Sequence, residues 1–168
     1  MATKLIAVHT IDAHPAPEKV FETMRKNWGS NLYAHVYHDL QVALKTFAKI
    51  MKVEICWSYS DNTLVIRDFH GEIYGESSCF NVKDADFNVR VTEAFSNYAS
   101  HDMTGSFWDS TILSCWEKTG GGVAELKDTV FEMLDSEIKY CQSGEYLFNL
   151  CKANEYYFFE DGQLYKGE

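Results

Sequence analysis

Between Val36 and Met51 the apolar residues return at spacings of three and four: Val36, Leu40, Ala43, Leu44, Phe47, Ile50 and Met51. That period predicts an amphipathic helix. Directly afterwards the rhythm changes to two. In VEICWSYS, Val53, Ile55, Trp57 and Tyr59 fall on one side and Glu54, Cys56 and Ser58 on the other, which predicts a half-buried strand. Ser60-Asp61-Asn62 reads as a turn and TLVIRDF as the returning strand. His70-Gly71 reads as a second turn, leading into EIYGESSCF. An antiparallel meander is therefore expected over about residues 53–80.

The flanking segments carry their own signals. TKLIAVHTI is a short β-prone run. PAPEKVFETMRKNWGS predicts a helix, with Pro17 suited to its first position and Gly29 to its stop. Phe87, Val91, Ala94, Phe95 and Tyr98 share a helical face. GSFWDSTILSCWEK is rich in β-formers and is read as a polar loop followed by a short strand whose Trp108 and Trp116 enter the core. After three glycines at 120–122, Val123, Leu126, Val130, Leu134, Ile138 and Cys141 outline a long helix that Ser143-Gly144 ends; YLFNLCK suggests a further short one. In YYFFEDGQLYK, β-formers flank Asp161-Gly162, a dipeptide suited to a two-residue type I′ turn, so residues 155–166 predict a hairpin. With four aromatics in a row, one hairpin face should meet the core and the other offers a homodimer contact.

Helices and hairpins alternate without a βαβ rhythm. The expected class is α+β: an antiparallel sheet, from the meander and the C-terminal hairpin, packed with three to five helices. A length of 168 residues fits one globular domain over 1–168. No internal repeat or linker interrupts it.

Composition narrows the function classes. Five cysteines, an odd number with no C-x-x-C pair, argue against a secreted disulfide framework, and no disulfide is expected. The N-terminal apolar run of four residues is too short for a signal peptide, and no stretch approaches the ~20 apolar residues of a membrane span. A cytoplasmic protein without membrane association is the expectation. The net charge is −10, unevenly spread. Residues 1–100 hold 12 acids and 10 Lys/Arg, a balance of −2; residues 101–168 hold 13 acids and 5 lysines, a balance of −8. Direct binding to nucleic acid is disfavoured, because phosphates require a basic face. A protein partner with a basic surface is favoured.

Three clusters invite chemistry. His35, His38 and Asp39 lie within about one helical turn. His38 nevertheless falls opposite the apolar stripe, at roughly 200° when Val36 is set at zero, with Lys45 and Lys49 on the outer face. A catalytic zinc site usually needs three protein ligands, and none completes this one, so the group is read as a solvated face with no metal. TGGGV opens a helix but matches neither G-x-G-x-x-G nor a P-loop, and Glu125 and Asp128 already occupy the positive end of the helix dipole. No cofactor is expected. SHDMTGSFWDS, with Cys115 nearby, supplies His101, Asp102 and Asp109, from which a catalytic set could be drawn if the protein is an enzyme.

The long C-terminal helix is more specific. With Val123 at zero, Glu125, Asp128, Glu132 and Asp135 fall between about 120° and 200°, away from the apolar stripe. Their spacings of three, four and three place like charges where each pair costs about 0.2–0.5 kcal/mol, and Lys139 relieves only the last. A basic partner would remove that repulsion. The leading expectation is a small acidic interaction module, an inhibitor or regulator whose C-terminal face docks on the basic groove of a nucleic-acid-handling enzyme. In composition alone, the chain is similar to small acidic inhibitors of restriction or CRISPR nucleases. The alternative is an enzyme or small-molecule binder with a pocket near residues 101–116.

Overall fold

The computed structural model describes residues 7–51, 53–67, 73–74, 104, 106–119 and 123–166. The fold is α+β. The segment up to His35 and that from Ser136 onward make one compact unit; Val36–Asp135 make another, inserted between them in sequence.

In the first unit, strand β1 (Val8–Thr10) pairs antiparallel with β5 (Tyr157–Phe159), which pairs with β6 (Leu164–Tyr165), so β5 is central. Val8 stands opposite Phe159 and Thr10 opposite Tyr157. The expected C-terminal hairpin is present, and it sits in a different sheet from the meander. Helix α1 (Pro17–Trp28) begins with its proline in the first turn, where the missing N–H costs nothing, and stops at Gly29, whose φ is +47°. Helix α5 (Gly144–Ala153) is capped by Ser143, whose Oγ accepts the Tyr146 N–H at 3.2 Å. Val20, Phe21 and Met24 from α1 pack with Leu147 and Cys151 from α5 and Phe158 from β5.

The hairpin tip departs from the sequence expectation. A type I′ turn needs positive φ at both central residues. Asp161 does not have one; Gly162 does, at +86°. Phe159 N–H donates to Gln163 O at 2.9 Å and Gly162 N–H to Phe159 O at 2.8 Å, closing a three-residue loop over 160–162. Asp161 Oδ1 accepts the Gln163 N–H at 3.0 Å and holds the loop from the inside. His14, buried, fastens the base of the hairpin. Its Nδ1 accepts the Ala16 N–H at 3.0 Å, which leaves Nε2 to donate to Phe159 O at 2.8 Å.

Burial also quiets the sulfur of this core. Desolvation pushes the Cys151 thiol up to about 11, and its Sγ donates to Met24 Sδ at 3.5 Å. The sign follows from linkage. The unfolded thiol ionises near 9.0, so the thiol's contribution to stability is complete below that pH and is lost as pH rises towards 11. Alkylation by iodoacetamide at pH 8 should therefore be about a hundredfold slower at Cys151 in the native protein than in denaturant. Equal rates, followed by peptide mass spectrometry, would contradict this burial.

In the second unit, helix α2 begins at Ala34 and runs to Met51; of the expected stripe Val36, Leu40, Ala43, Leu44 and Phe47 are buried, joined by Ala48, while Ile50 is half-buried. Strands β2 (Glu54–Ser58), β3 (Thr63–Arg67) and β4 (Ile73–Tyr74) form the meander in the order β2-β3-β4. The turn between β2 and β3 closes through Asn62 N–H to Tyr59 O at 3.1 Å, with Asn62 at φ +52°. Ile55 faces Ile66 and Trp57 faces Leu64 across the ladder. Leu64 and Ile66 are fully buried. Trp57 stacks parallel to Tyr37 with centroids 6.3 Å apart and meets Phe131 at 6.5 Å. The helix expected near 84–100 and the 70–71 turn lie outside the described residues.

The largest correction concerns 107–119. The segment expected to be a strand is helix α3 (Phe107–Thr119). Among its described side chains Trp108, Ile112 and Cys115 are buried, at helical spacings of four and three. Trp108 does enter the core, though from a helix. Among the described residues its Nε1–H finds no acceptor.

Candidate functional site

Helix α4 (Val123–Cys141) carries the acidic residues. Val123, Leu126, Val130, Phe131 and Leu134 are buried and orient it. Glu125, Asp128 and Glu132 consequently project from the opposite side and are exposed. No ion pair with another described residue engages their carboxylates. Asp135 differs. It is half-buried, and its Oδ1 accepts the Tyr59 hydroxyl at 3.2 Å. The open acidic face is therefore a triad, with Asp135 tying α4 to the end of β2. Lys127, at 7 % exposure, is the residue that the sequence reading missed. Its signal was available: two residues beyond Glu125 on the helical wheel, it falls at roughly 40°, inside the apolar stripe.

Of the residues proposed for catalysis, the two described ones, Asp109 and Cys115, are engaged with other groups. Asp109 sits in the first turn of α3 and reaches back over the helix start. Its Oδ1 accepts the Thr104 hydroxyl at 2.6 Å and its Oδ2 the Thr104 N–H at 3.1 Å. These bonds fix Thr104, which precedes the helix, against its first turn. Cys115 is buried, its Sγ donating to Glu125 O at 3.5 Å. His101 and Asp102 lie outside the described residues.

A groove does lie beside them. It has a volume of about 490 Å³ and is open to solvent. Helix α3 contributes Ser110, Thr111, Ser114, Cys115 and Lys118; α4 contributes Thr129 and Met133. The Ser110 and Thr111 hydroxyls donate to Phe107 O at 2.9 and 3.1 Å, which spends their protons within the helix. No carboxylate side chain is among the described residues lining it.

His35 and His38 are both exposed, and the His35 ring stacks on Tyr146 at 6.4 Å with planes 9° apart. Among the described residues no group of three or more His, Cys, Asp or Glu side chains could hold a metal ion. His14 spends both ring nitrogens on backbone. Cys56, Cys115, Cys141 and Cys151 are free thiols. Burial, then the neighbouring Glu137 carboxylate, raises the Cys141 thiol as well. Among the described residues no helix is long and apolar enough to cross a membrane.

No protein-family model, no curated protein and no solved structure matches this chain.

Proposed function

We propose that this protein is a non-enzymatic interaction module that presents the acidic face of α4 to a basic surface of another protein. A nucleic-acid-handling enzyme, whose substrate groove is basic by necessity, is the partner class that fits best. The observation that carries this reading is the exposure of Glu125, Asp128 and Glu132 on one face with no ion pair to another described residue. Three carboxylates at spacings of three and four, without an ion pair among the described residues, repel each other in the free protein, and a cationic surface relieves that repulsion on contact. The same face repels phosphates, so the module competes with nucleic acid and does not bind it.

A small-molecule or enzymatic role for the segment 101–116 is the weaker reading. The groove beside α3 favours it, but Asp109 is committed to Thr104 and Cys115 to a backbone carbonyl.

The test is the triple variant Glu125→Lys, Asp128→Lys, Glu132→Lys, leaving Asp135 in place because its reversal would also break the Tyr59 contact. Each exposed change should shift stability by within about 0.5 kcal/mol. Affinity purification from the source cells, quantified by mass spectrometry, should recover a protein with a basic surface on the wild type alone. Recovery should fall steeply as salt is raised, because exposed charges are screened over a Debye length of about 8 Å at physiological ionic strength. Undiminished recovery on a folded triple variant would sink the proposal.

A further inference from the structure

We infer that the groove between α3 and α4 is the apolar half of the same docking surface, and that its occupant is a basic amphipathic helix of the partner, which inserts an aliphatic side chain there. The inference rests on the acidic-face reading and adds to it the form of the ligand. It follows from where the residues fall around α4. With Val123 at zero, Glu125, Asp128 and Glu132 lie at about 140–200°, Thr129 and Met133 at about 240–280°, and the core stripe is centred near 0°. The groove wall thus borders the acidic triad along the length of α4, on the same outward side. Thr129 is only about 40° from Glu125 and about 60° from Glu132.

The two strips have complementary chemistry. One is a line of carboxylates without ion pairs among the described residues. The other is an open trough floored by Cys115 and Met133 and free of carboxylate side chains among its described residues. Lys118 is its charged member; it is exposed, so its methylene stem can serve as wall while the ammonium stays in water. A ligand matching both strips must carry cations along one line and an apolar ridge along the adjacent line. A helix with Lys or Arg on one face and Leu-like residues at i, i+3, i+4 and i+7 on the next has that form. Methionine at the contact suits such a ligand, because its unbranched thioether adapts to different aliphatic side chains.

The probe is a synthetic amphipathic peptide of Leu and Lys, compared with a counterpart in which each Leu is Ala, so that charge and helix propensity are kept. The wild type should bind the Leu peptide about tenfold or more tighter than the Ala peptide, the increment expected from burying one aliphatic side chain. Ser114→Trp and, independently, Thr129→Trp should remove that preference while leaving binding of the Ala peptide unchanged. With a photoreactive benzophenone in place of the central Leu, irradiation of the wild-type complex should label Met133. Reversing Glu18 and Glu22, exposed on α1, should leave both affinities unchanged.

Equal affinity for the two peptides, lost together in the triple Lys variant, overturns the groove inference and leaves the acidic face standing. Undiminished binding of both peptides to the triple variant overturns the two together. Self-association of the chain that Ser114→Trp abolishes would assign the groove to a second copy and overturn the inference as well.

Discussion

Gly162→Ala is expected to lower the stability of the protein by about 2–5 kcal/mol, although it adds a single methyl group at a hairpin tip. Two costs add at this position. The backbone holds φ at +86°, a conformation that an L side chain enters at a cost of about 1–2 kcal/mol. The methyl would also fall 2.8 Å from the carbonyl carbon and oxygen of Lys19 and 2.9 Å from the Val20 nitrogen, all backbone atoms of α1 that cannot rotate away. Overpacking of this kind typically costs a further 1–3 kcal/mol, roughly. Gly144→Ala is the control. Its methyl would meet Phe21 ring carbons at 3.5 and 3.6 Å, ordinary contact, at the start of α5. That change should be neutral or stabilise by up to about 1 kcal/mol, since alanine restricts the unfolded chain. Urea denaturation of the two variants decides the matter; a Gly162→Ala midpoint equal to the wild type would show that the tip stands off α1.

Trp108→Ala is expected to cost about 3–5 kcal/mol, the range for truncating a buried aromatic. Trp108 has 0 % exposure and is the largest of the fully buried side chains. The companion variant distinguishes helix from strand. On a strand, residues 108, 110 and 112 would share one face. On α3, Ser110 is exposed while Trp108 and Ile112 are buried, so Ser110→Ala should shift stability by less than about 0.5 kcal/mol. A Ser110→Ala loss comparable to that of Ile112→Ala would restore the strand.

That segment shows where the sequence was legible and where it was not. Phe107, Trp108, Thr111 and Ile112 are β-formers, and weighing them by propensity gave a strand. Propensity is a weak local preference that tertiary packing overrides. The overriding signals were also in the sequence: Trp108, Ile112 and Cys115 at spacings of four and three, and Ser106 followed three residues later by Asp109, a helix-start pattern. The meander, α1, α2, α4 and the terminal hairpin were readable because their periodicity and stop residues agreed. The turn at Asp161-Gly162 was read correctly in place but not in type: Asp-Gly suits a two-residue turn, and here Glu160 joins it in a three-residue loop whose Gly162 lies against the backbone of α1. The acidic triad was readable from the wheel alone. The attachment of Asp135 to Tyr59 was not, since it joins residues 76 apart, and the groove was not, since its walls come from two helices.

The pairing of β1 with β5 has a consequence for how the chain is made. The His14 ring and the Phe159 carbonyl that it holds are 145 residues apart. At about 5–20 residues per second, a ribosome needs roughly 7–30 s to travel between them. Ile11, Val20, Phe21 and Met24 are made long before Leu147, Cys151 and Phe158, which cover them, and the whole of Val36–Asp135 is made in between. Until those late residues are made, the apolar positions of α1 have none of their partners from α5 and β5. A chain that stops before Tyr157 lacks the central strand of this sheet and cannot close it.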